Sequence, residues 1–192
     1  MKARLRRRPR AFTLIELLIV IALIVVLTAL TVPAVVSLRD SWQMTAASGN
    51  LLGMLDLARQ TALARNRSVV VRFYLRADAD AYDAFGAFVV EDDGERHPLI
   101  RRQHLPAGLL LSANPAHADP PESATGTETF PDGSQAAYSE FRFRRDGSTD
   151  LAPSQHWFLT LLRERDRNEP TPKRFMTFLI EPTSGHVQSF QP

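Results

Sequence analysis

The 192-residue sequence contains no cysteine, so disulfides cannot hold any part of the fold together. An exported domain with this composition must rely on packing and hydrogen bonds alone. The sequence also lacks the GxSxG, P-loop and GxGxxG motifs that mark common hydrolases and nucleotide-binding proteins. Its five histidines show neither HxxxH nor HExxH spacing, which predicts no metal site and no cofactor. We therefore expect a protein that is not an enzyme.

Charge is missing from a long stretch near the N-terminus. No charged residue occurs from Leu17 to Leu38, a run long enough to cross the roughly 30 Å hydrocarbon core of a bilayer as a helix. The first eleven residues contain no acid, but they carry six bases: Lys2, Arg4, Arg6, Arg7, Arg8 and Arg10. Basic flanks stay on the cytoplasmic side. The pattern predicts a single-pass membrane protein whose N-terminus stays in the cytoplasm while the rest of the chain crosses the membrane.

One acid does not fit a plain membrane anchor. Glu16 lies within the first turn of the apolar segment, where an ionised carboxylate is costly unless another group pairs with it. An ordinary anchor gives no reason for a carboxylate at this position. Glu16 is therefore a candidate functional residue.

The residues around Glu16 resemble a known signature. Ala11-Phe12-Thr13-Leu14-Ile15-Glu16, after a short basic leader and before an apolar helix, is similar to the N-terminus of type IV pilins and type II secretion pseudopilins. The resemblance implies that prepilin peptidase cuts between Ala11 and Phe12 and methylates the new Phe12 amine. It also implies that Pro33 kinks the helix. The family usually has glycine before the cut, and Ala11 departs from that pattern.

The resemblance also implies a mode of assembly. Family members form filaments through their N-terminal helices, with help from an assembly ATPase and an inner-membrane platform protein. We expect this chain to be a minor subunit of such a type II secretion or type IV pilus-like filament. Glu16 would set the register between subunits by pairing with the Phe12 amine of a neighbour. The predicted partners are thus the peptidase, other pilin or pseudopilin subunits and, indirectly, the ATPase and platform.

Two simpler interpretations compete with this one. A cleaved signal peptide has a basic start, a short apolar core and a small-residue cleavage site, which Val32-Pro33-Ala34 could provide. Its apolar core would be unusually long and would contain Glu16. An uncleaved anchor explains length and orientation, and it could tether either an enzyme or a binding domain. Neither alternative accounts for the hexapeptide.

The net charge reflects the leader rather than the mature protein. The full chain has 23 basic and 21 acidic residues, for a formal charge of +2. Removing the six leader bases leaves 17 basic against 21 acidic residues, or −4. A basic nucleic-acid-binding surface is therefore not indicated by composition. Nucleic acid is not an expected partner.

The region after the apolar run predicts a second, amphipathic stretch of helix over residues 39–66. A stripe of mainly small and apolar residues follows 4-3-4-3 spacing: Met44, Ser48, Leu51, Leu55, Ala58, Ala62 and Arg65. We expect the helix to continue from the membrane segment, residues 12–38. Two helices separated near Asp40-Ser41 are the alternative.

The remaining residues, 67–192, predict an antiparallel β domain in the periplasm. Strands are predicted by alternating or β-branched segments: 68–76, 82–90, 98–103, 109–112, 141–144, 157–162, 175–181 and 187–190. Residues 113–136 are rich in Pro, Ala, Ser and Thr and predict a long loop. The predicted fold class is α+β, with the N-terminal helix packed on an antiparallel sheet.

The residues at the helix-to-sheet junction resemble one subgroup of this family in particular. Residues 57–67, leading into Val69-Val70-Val71, are similar to H-type minor pseudopilins and FimT-like relatives. With Arg72-Phe73-Tyr74 they also resemble the pilin-like D component of the Verru_Chthon cassette. The alternative function is a membrane-anchored periplasmic binding module for DNA uptake or substrate recognition. Its DNA-binding variant would use a patch of arginines and phenylalanines: Arg101, Arg102, Phe141, Arg142, Phe143, Arg144 and Arg145.

Overall fold

A computed structural model of the chain describes residues 13–77 and 80–191, without the side chains of residues 30–40. The chain forms two units, Met1–Trp42 and Gln43–Pro192. The leader and the predicted cleavage residues Ala11 and Phe12 lie outside the described residues.

Over the described residues the chain forms one α-helix, nine β-strands and a short 3-10 turn at Glu164–Asp166. Helix α1 spans Leu14–Arg65. The strands are β1 Ser68–Leu75, β2 Ala81–Val90, β3 Arg96–His104, β4 Leu109–Ser112, β5 Ala124–Thr129, β6 Gln135–Phe143, β7 Trp157–Arg163, β8 Phe175–Ile180 and β9 Val187–Phe190.

Helix α1 is a single element, so the alternative of two helices with a break near Asp40-Ser41 is wrong. The predicted stripe is buried from Met44 to Ala62, and Leu51, Leu55 and Ala58 are completely inaccessible. Arg65, the last residue of the predicted stripe, is instead exposed. The stripe therefore ends one turn earlier than the spacing alone indicates.

Asn66 ends the helix by adopting a left-handed backbone with φ 51°. The Arg67 N–H then donates to the Ala62 carbonyl at 3.2 Å, and the Asn66 N–H donates to the Leu63 carbonyl at 3.4 Å. This pair of bonds is a Schellman motif, which satisfies carbonyls that the last turn leaves free. Arg67 also pairs with Glu91 at 3.2 Å and Asp92 at 2.6 Å, which ties the helix end to the β2–β3 turn.

The strands form one antiparallel sheet in the order β5-β6-β1-β2-β4-β7-β8-β9, with β3 paired to β2 beside β4. From Met44 onward, α1 packs on one face of this sheet. Side chains of the central strands alternate between that face and the opposite one. The helix-facing core is built mainly from large apolar side chains: Val69, Val71, Phe73, Phe85, Val89, Leu111, Phe141, Phe143, Leu159, Leu161, Phe178 and Ile180. The predicted α+β fold is confirmed.

The region 113–136 differs from its prediction as a loop. It contains all of β5 and the start of β6, which pair in register from Ala124↔Glu140 to Thr129↔Gln135. Strand β5 reads Ala-Thr-Gly-Thr-Glu-Thr and lies at the edge of the sheet. Its residues do not alternate between apolar and polar, so the sequence pattern does not predict a strand here. Strand β5 instead contributes the carboxylate of Glu128 to the fold.

An ionic and aromatic network covers part of the sheet face away from α1. Arg72, on β1, donates to Glu140 at 2.7 Å and to Glu128 at 2.9 Å. Arg96 donates to both carboxylate oxygens of Glu140, at 2.9 and 3.1 Å. The Tyr74 hydroxyl donates to Glu128 at 2.7 Å. Removing one partner from such a buried group strands the charges that remain.

Burial alone would raise the pKa of Glu140, but the hydrogen bonds and positive charges of Arg96 and Arg72 outweigh it. The pKa of Glu140 is held below its ordinary value of 4.5. Because this pKa is depressed in the folded state, the network stabilises the fold fully above pH 4.5. That contribution is lost as the pH falls through the folded-state pKa.

We predict that Glu140→Gln lowers the free energy of unfolding at pH 7 by about 3 kcal/mol, because two arginines lose their shared counter-charge. The variant should also show a smaller loss of stability than the wild type between pH 5 and pH 3. Denaturant unfolding across this pH range measures both effects. Glu169→Gln, at an exposed acid, is the matched control and should behave as wild type. Equal pH slopes for Glu140→Gln and the wild type would contradict the assignment.

Candidate functional site

The N-terminal part of α1, through which assembly is predicted to occur, is apolar on all sides from Leu14 to Leu27 apart from Glu16. Twelve large apolar side chains between Leu14 and Leu27 are exposed, at 41% to 77%. They occupy all faces of the helix rather than one stripe: Leu14, Ile15, Leu17, Leu18, Ile19, Val20, Ile21, Leu23, Ile24, Val25, Val26 and Leu27. A helix that is apolar all round needs apolar surroundings. Exposed apolar surface of this extent marks an interaction site.

The first turn of α1 carries a capping arrangement that the sequence reasoning missed. Thr13 precedes the helix, and its Oγ1 accepts a hydrogen bond from the Glu16 N–H at 3.3 Å. The Thr13 carbonyl also accepts bonds from Glu16 and Leu17, at 3.1 and 3.2 Å. Threonine followed three residues later by glutamate is the capping-box pattern, so Thr13-x-x-Glu16 was the available signal.

Glu16 therefore has a local role as well as the predicted one. It is the third residue of the helix, where a negative charge interacts favourably with the helix dipole. Its side chain is exposed, and within the described part of the chain no hydrogen bond or ion pair reaches its carboxylate. The backbone of Glu16 is thus fixed by the helix start, and its carboxylate is available to a partner.

The other predicted site residues are placed only in part. Ala11 and Phe12 lie outside the described residues, so cleavage and methylation there stay predictions. Pro33 lies inside α1 as a backbone position, and a kink there also stays a prediction. Thr28, a polar residue in the apolar run, satisfies its hydroxyl by donating to the Ile24 and Val25 carbonyls, each at 2.9 Å.

Among the residues that the structure describes, no helix meets the length and apolarity needed to cross a membrane. Within the same residues, no group of three or more His, Asp or Glu side chains is arranged to hold a metal ion.

The aromatic residues of the alternative DNA patch are not accessible. Phe141 and Phe143 are fully buried in the helix-facing core, where their rings meet edge to face with centroids 5.1 Å apart. Arg142 follows the strand alternation to the opposite face. Bases therefore cannot stack on these two rings, and the alternative basic and aromatic patch is wrong in its aromatic part.

Residues 6–32 match a family model described as the prokaryotic N-terminal methylation motif. This match covers the second half of the basic leader, the predicted cleavage residues, Glu16 and most of the apolar run. The motif implies a membrane-anchored pilin N-terminus. No curated protein is similar enough in sequence to match this chain.

Solved structures match the fold. The minor pseudopilin EpsH from the type II secretion system of Vibrio cholerae is similar with a TM-score of 0.50 and 13% identity. That match covers 78% of this chain and 94% of EpsH. The type IV minor pilin FimU of Pseudomonas aeruginosa is similar at a TM-score of 0.49 and 13% identity, over 81% of this chain and 96% of FimU.

At this identity the likeness to EpsH shows the fold alone. The fold is pilin-like, and the methylation motif stands in the position that a pilin N-terminus requires. Motif and fold together support a type IV pilin-like, or pseudopilin, identity for this chain.

We predict that Thr13→Val frays the start of α1, because it removes the side-chain acceptor of the Glu16 N–H. Loss of such a cap costs about 1 kcal/mol, or roughly fivefold in the local opening equilibrium. Amide hydrogen exchange at Glu16 should accelerate by about that factor. Thr13→Ser keeps the hydroxyl and is the matched control. Unchanged exchange in the valine variant would show that the cap contributes nothing.

Proposed function

We propose that this protein is a non-enzymatic, minor pilin-like subunit, processed at its N-terminus and assembled through α1 into a type II secretion or type IV pilus-like filament. The observation that carries this proposal is the exposed apolar helix start with a single carboxylate one turn inside it. The methylation motif over residues 6–32 supports it from the sequence side. The same proposal includes the relationship of this chain to H-type minor pseudopilins, to FimT-like proteins and to the pilin-like D component of the Verru_Chthon cassette.

Processing creates the charge that assembly needs. Prepilin peptidase would cut between Ala11 and Phe12, so that Phe12 becomes the N-terminal residue. Methylation leaves its amine cationic. Before cleavage, the apolar run would anchor the chain in the inner membrane. The basic leader would hold the N-terminus in the cytoplasm, so that the β domain lies in the periplasm. Removing the leader deletes six positive charges and exposes one at the end of the helix.

During assembly, the apolar side chains of α1 would leave the lipid and pack against the helices of neighbouring subunits. Each large apolar side chain costs about 1.5–3 kcal/mol to leave in water. With twelve such side chains on the described segment, a subunit cannot leave the bilayer unless other helices bury them. An assembly ATPase and an inner-membrane platform protein would supply the work of extraction. The proposal assigns no cofactor to this chain itself; the peptidase takes the methyl group from a separate methyl donor, and the assembly ATPase consumes ATP.

Register would be set by Glu16. Apolar helices slide past one another easily, because one Leu or Ile contact resembles the next. A carboxylate that meets the Phe12 amine of a neighbour at one stagger satisfies both charges, and any other stagger strands both. The Thr13 cap, which accepts the Glu16 N–H, fixes the backbone of Glu16 at the third helical position, close to the end where a neighbour's amine would arrive.

We predict that Glu16→Gln reduces incorporation into filaments strongly, at least about tenfold. Glutamine at this position retains the capping-box pattern but removes the charge. Membrane insertion and N-terminal processing should stay near wild-type levels. Sheared-filament immunoblots alongside membrane fractions measure both quantities. Glu16→Asp, which keeps the charge, is the matched control and should retain partial incorporation. Wild-type incorporation by the glutamine variant would rule out the register role.

We predict that Ala11→Leu blocks processing, because a bulky side chain replaces the small residue before the scissile bond. Intact-mass analysis of protein co-expressed with prepilin peptidase should show the uncut chain. Ala11→Gly restores the residue that the family usually carries and should be cut at least as fast as the wild type. Cleavage of the leucine variant at the wild-type rate would refute the site. So would a mass of the processed wild type that does not match a chain starting at Phe12.

A further inference from the structure

Trp42, the sole aromatic residue of α1, is 75% exposed. The other tryptophan of the chain behaves in the ordinary way. Trp157 is 8% exposed, and its indole N–H donates to the Ala152 carbonyl at 2.9 Å. An indole left in water is unfavourable, because most of its surface is apolar. The exposure of Trp42 therefore indicates a partner outside the chain.

Trp42 lies off the stripe by which α1 packs on the sheet. That stripe begins at Met44, which is about 200° from Trp42 around the helix, at about 100° per residue. The residues that follow on the Trp42 side are exposed and small: Ala46, Gly49 and Gly53. They offer little apolar surface beside the indole. The apolar neighbours of Trp42 along the sequence are instead on its N-terminal side, in the uncharged run that ends at Leu38.

The distance along the helix matches the thickness of a bilayer. The uncharged run from Leu17 to Leu38 measures about 33 Å at ~1.5 Å per residue, close to the roughly 30 Å hydrocarbon core. With both headgroup layers a bilayer is about 40–45 Å thick, so each layer has about 5–7 Å. Trp42 lies about 6 Å beyond Leu38. A helix whose uncharged run fills the hydrocarbon core thus places Trp42 in a headgroup layer.

The chemistry of the indole suits this layer. Its ring is apolar, whereas its N–H donates one hydrogen bond. Phospholipids present ester and phosphate oxygens, which accept hydrogen bonds, directly beside their acyl chains. Tryptophan is accordingly enriched where membranes meet water. Arg39 and Asp40 stand between the uncharged run and Trp42, so charge returns to the sequence at the same boundary.

We propose that Trp42 anchors α1 at the periplasmic surface of the inner membrane, with its indole in the phospholipid headgroup layer. This inference rests on the proposed function, because it requires the apolar run to span the bilayer. The anchor sets the depth of the helix before assembly. Glu16, which directly precedes the run, then lies at the cytoplasmic boundary of the hydrocarbon core.

The test measures how closely Trp42 approaches lipid. The full chain is reconstituted at a low protein-to-lipid ratio into phosphatidylcholine vesicles, without peptidase or assembly proteins. The acyl chains carry bromine, which quenches tryptophan fluorescence on contact, either near the headgroup or near the chain end. The signal of Trp42 is the difference between the wild type and Trp42→Phe.

We expect bromine near the headgroup to quench Trp42 at least about twofold more than bromine near the chain end, because the bilayer midplane is about 15 Å from the headgroup layer. Trp157, the tryptophan that remains in Trp42→Phe, should be unquenched, because it is buried in the β domain. Stronger quenching of Trp42 by bromine near the chain end would overturn the proposal.

A matched variant moves the tryptophan along the same side of the helix. In Trp42→Phe/Ala46→Trp the indole is about 6 Å farther from the uncharged run, at a position that is also exposed. Its quenching by bromine near the headgroup should fall to about half or less of the Trp42 value, because this displacement equals the thickness of a headgroup layer. Equal quenching at the two positions contradicts a specific anchor at Trp42.

Vesicle flotation separates this inference from the proposed function. A chain that does not float with the vesicles overturns both, because no span exists for Trp42 to anchor. A chain that floats while Trp42 stays unquenched overturns the anchor alone. In that case protein, rather than lipid, covers the indole, and the proposed assembly through α1 is untouched.

Discussion

The packing of one helical stripe against one face of the sheet is the constraint on which the β domain depends. From Met44 to Ala62, α1 presents small and apolar side chains to a layer of aromatic and branched residues, and without cysteine no covalent bond assists them. Small residues such as Ala58 and Ala62 allow the helix to lie close to the sheet. The Schellman motif at Asn66 then ends the helix where β1 must begin. β1 and β2, the strands that immediately follow this helix, lie in the interior of the sheet with other strands on both sides.

The N-terminal part of the same helix obeys a different constraint. Its side chains are apolar on every face, so a single chain in water leaves them without partners. Glu16 stands within this surface for two compatible reasons. It completes a capping pattern with Thr13, which is a property of one chain, and it presents a carboxylate that another chain can pair. Because the capping pattern alone already favours a glutamate here, the mere presence of Glu16 is weaker evidence for assembly than a glutamate with no role within its own chain. The charge, rather than the presence of a side chain at that position, is therefore the quantity that connects Glu16 with a filament.

The sheet face away from α1 holds the polar chemistry of the β domain. At one end of it, Arg72, Arg96, Glu128 and Glu140 neutralise one another. The Arg72 guanidinium also lies over the Tyr138 ring, 4.0 Å from its centroid. Toward the other end, beyond β4, His117 borders a largely apolar cavity, and its two ring nitrogens are buried without a hydrogen-bond partner among the described residues. A fully paired network stabilises the fold, whereas a buried polar group without a partner costs stability. The two ends of this face thus have different physical roles.

The sequence by itself determined the α+β class, the helical stripe, most of the strands and the N-terminal motif, because each of these follows from local periodicity or from a contiguous signature. It failed at β5, whose residues alternate threonine with small and acidic residues and show no apolar face. Only the tertiary structure decided that Glu128 of this strand pairs with Arg72, that Phe141 and Phe143 turn inward, and that His117 lies in a cavity wall. These features depend on contacts between residues distant in the chain, and a buried ion pair or an orphaned imidazole has no periodicity that a sequence could display.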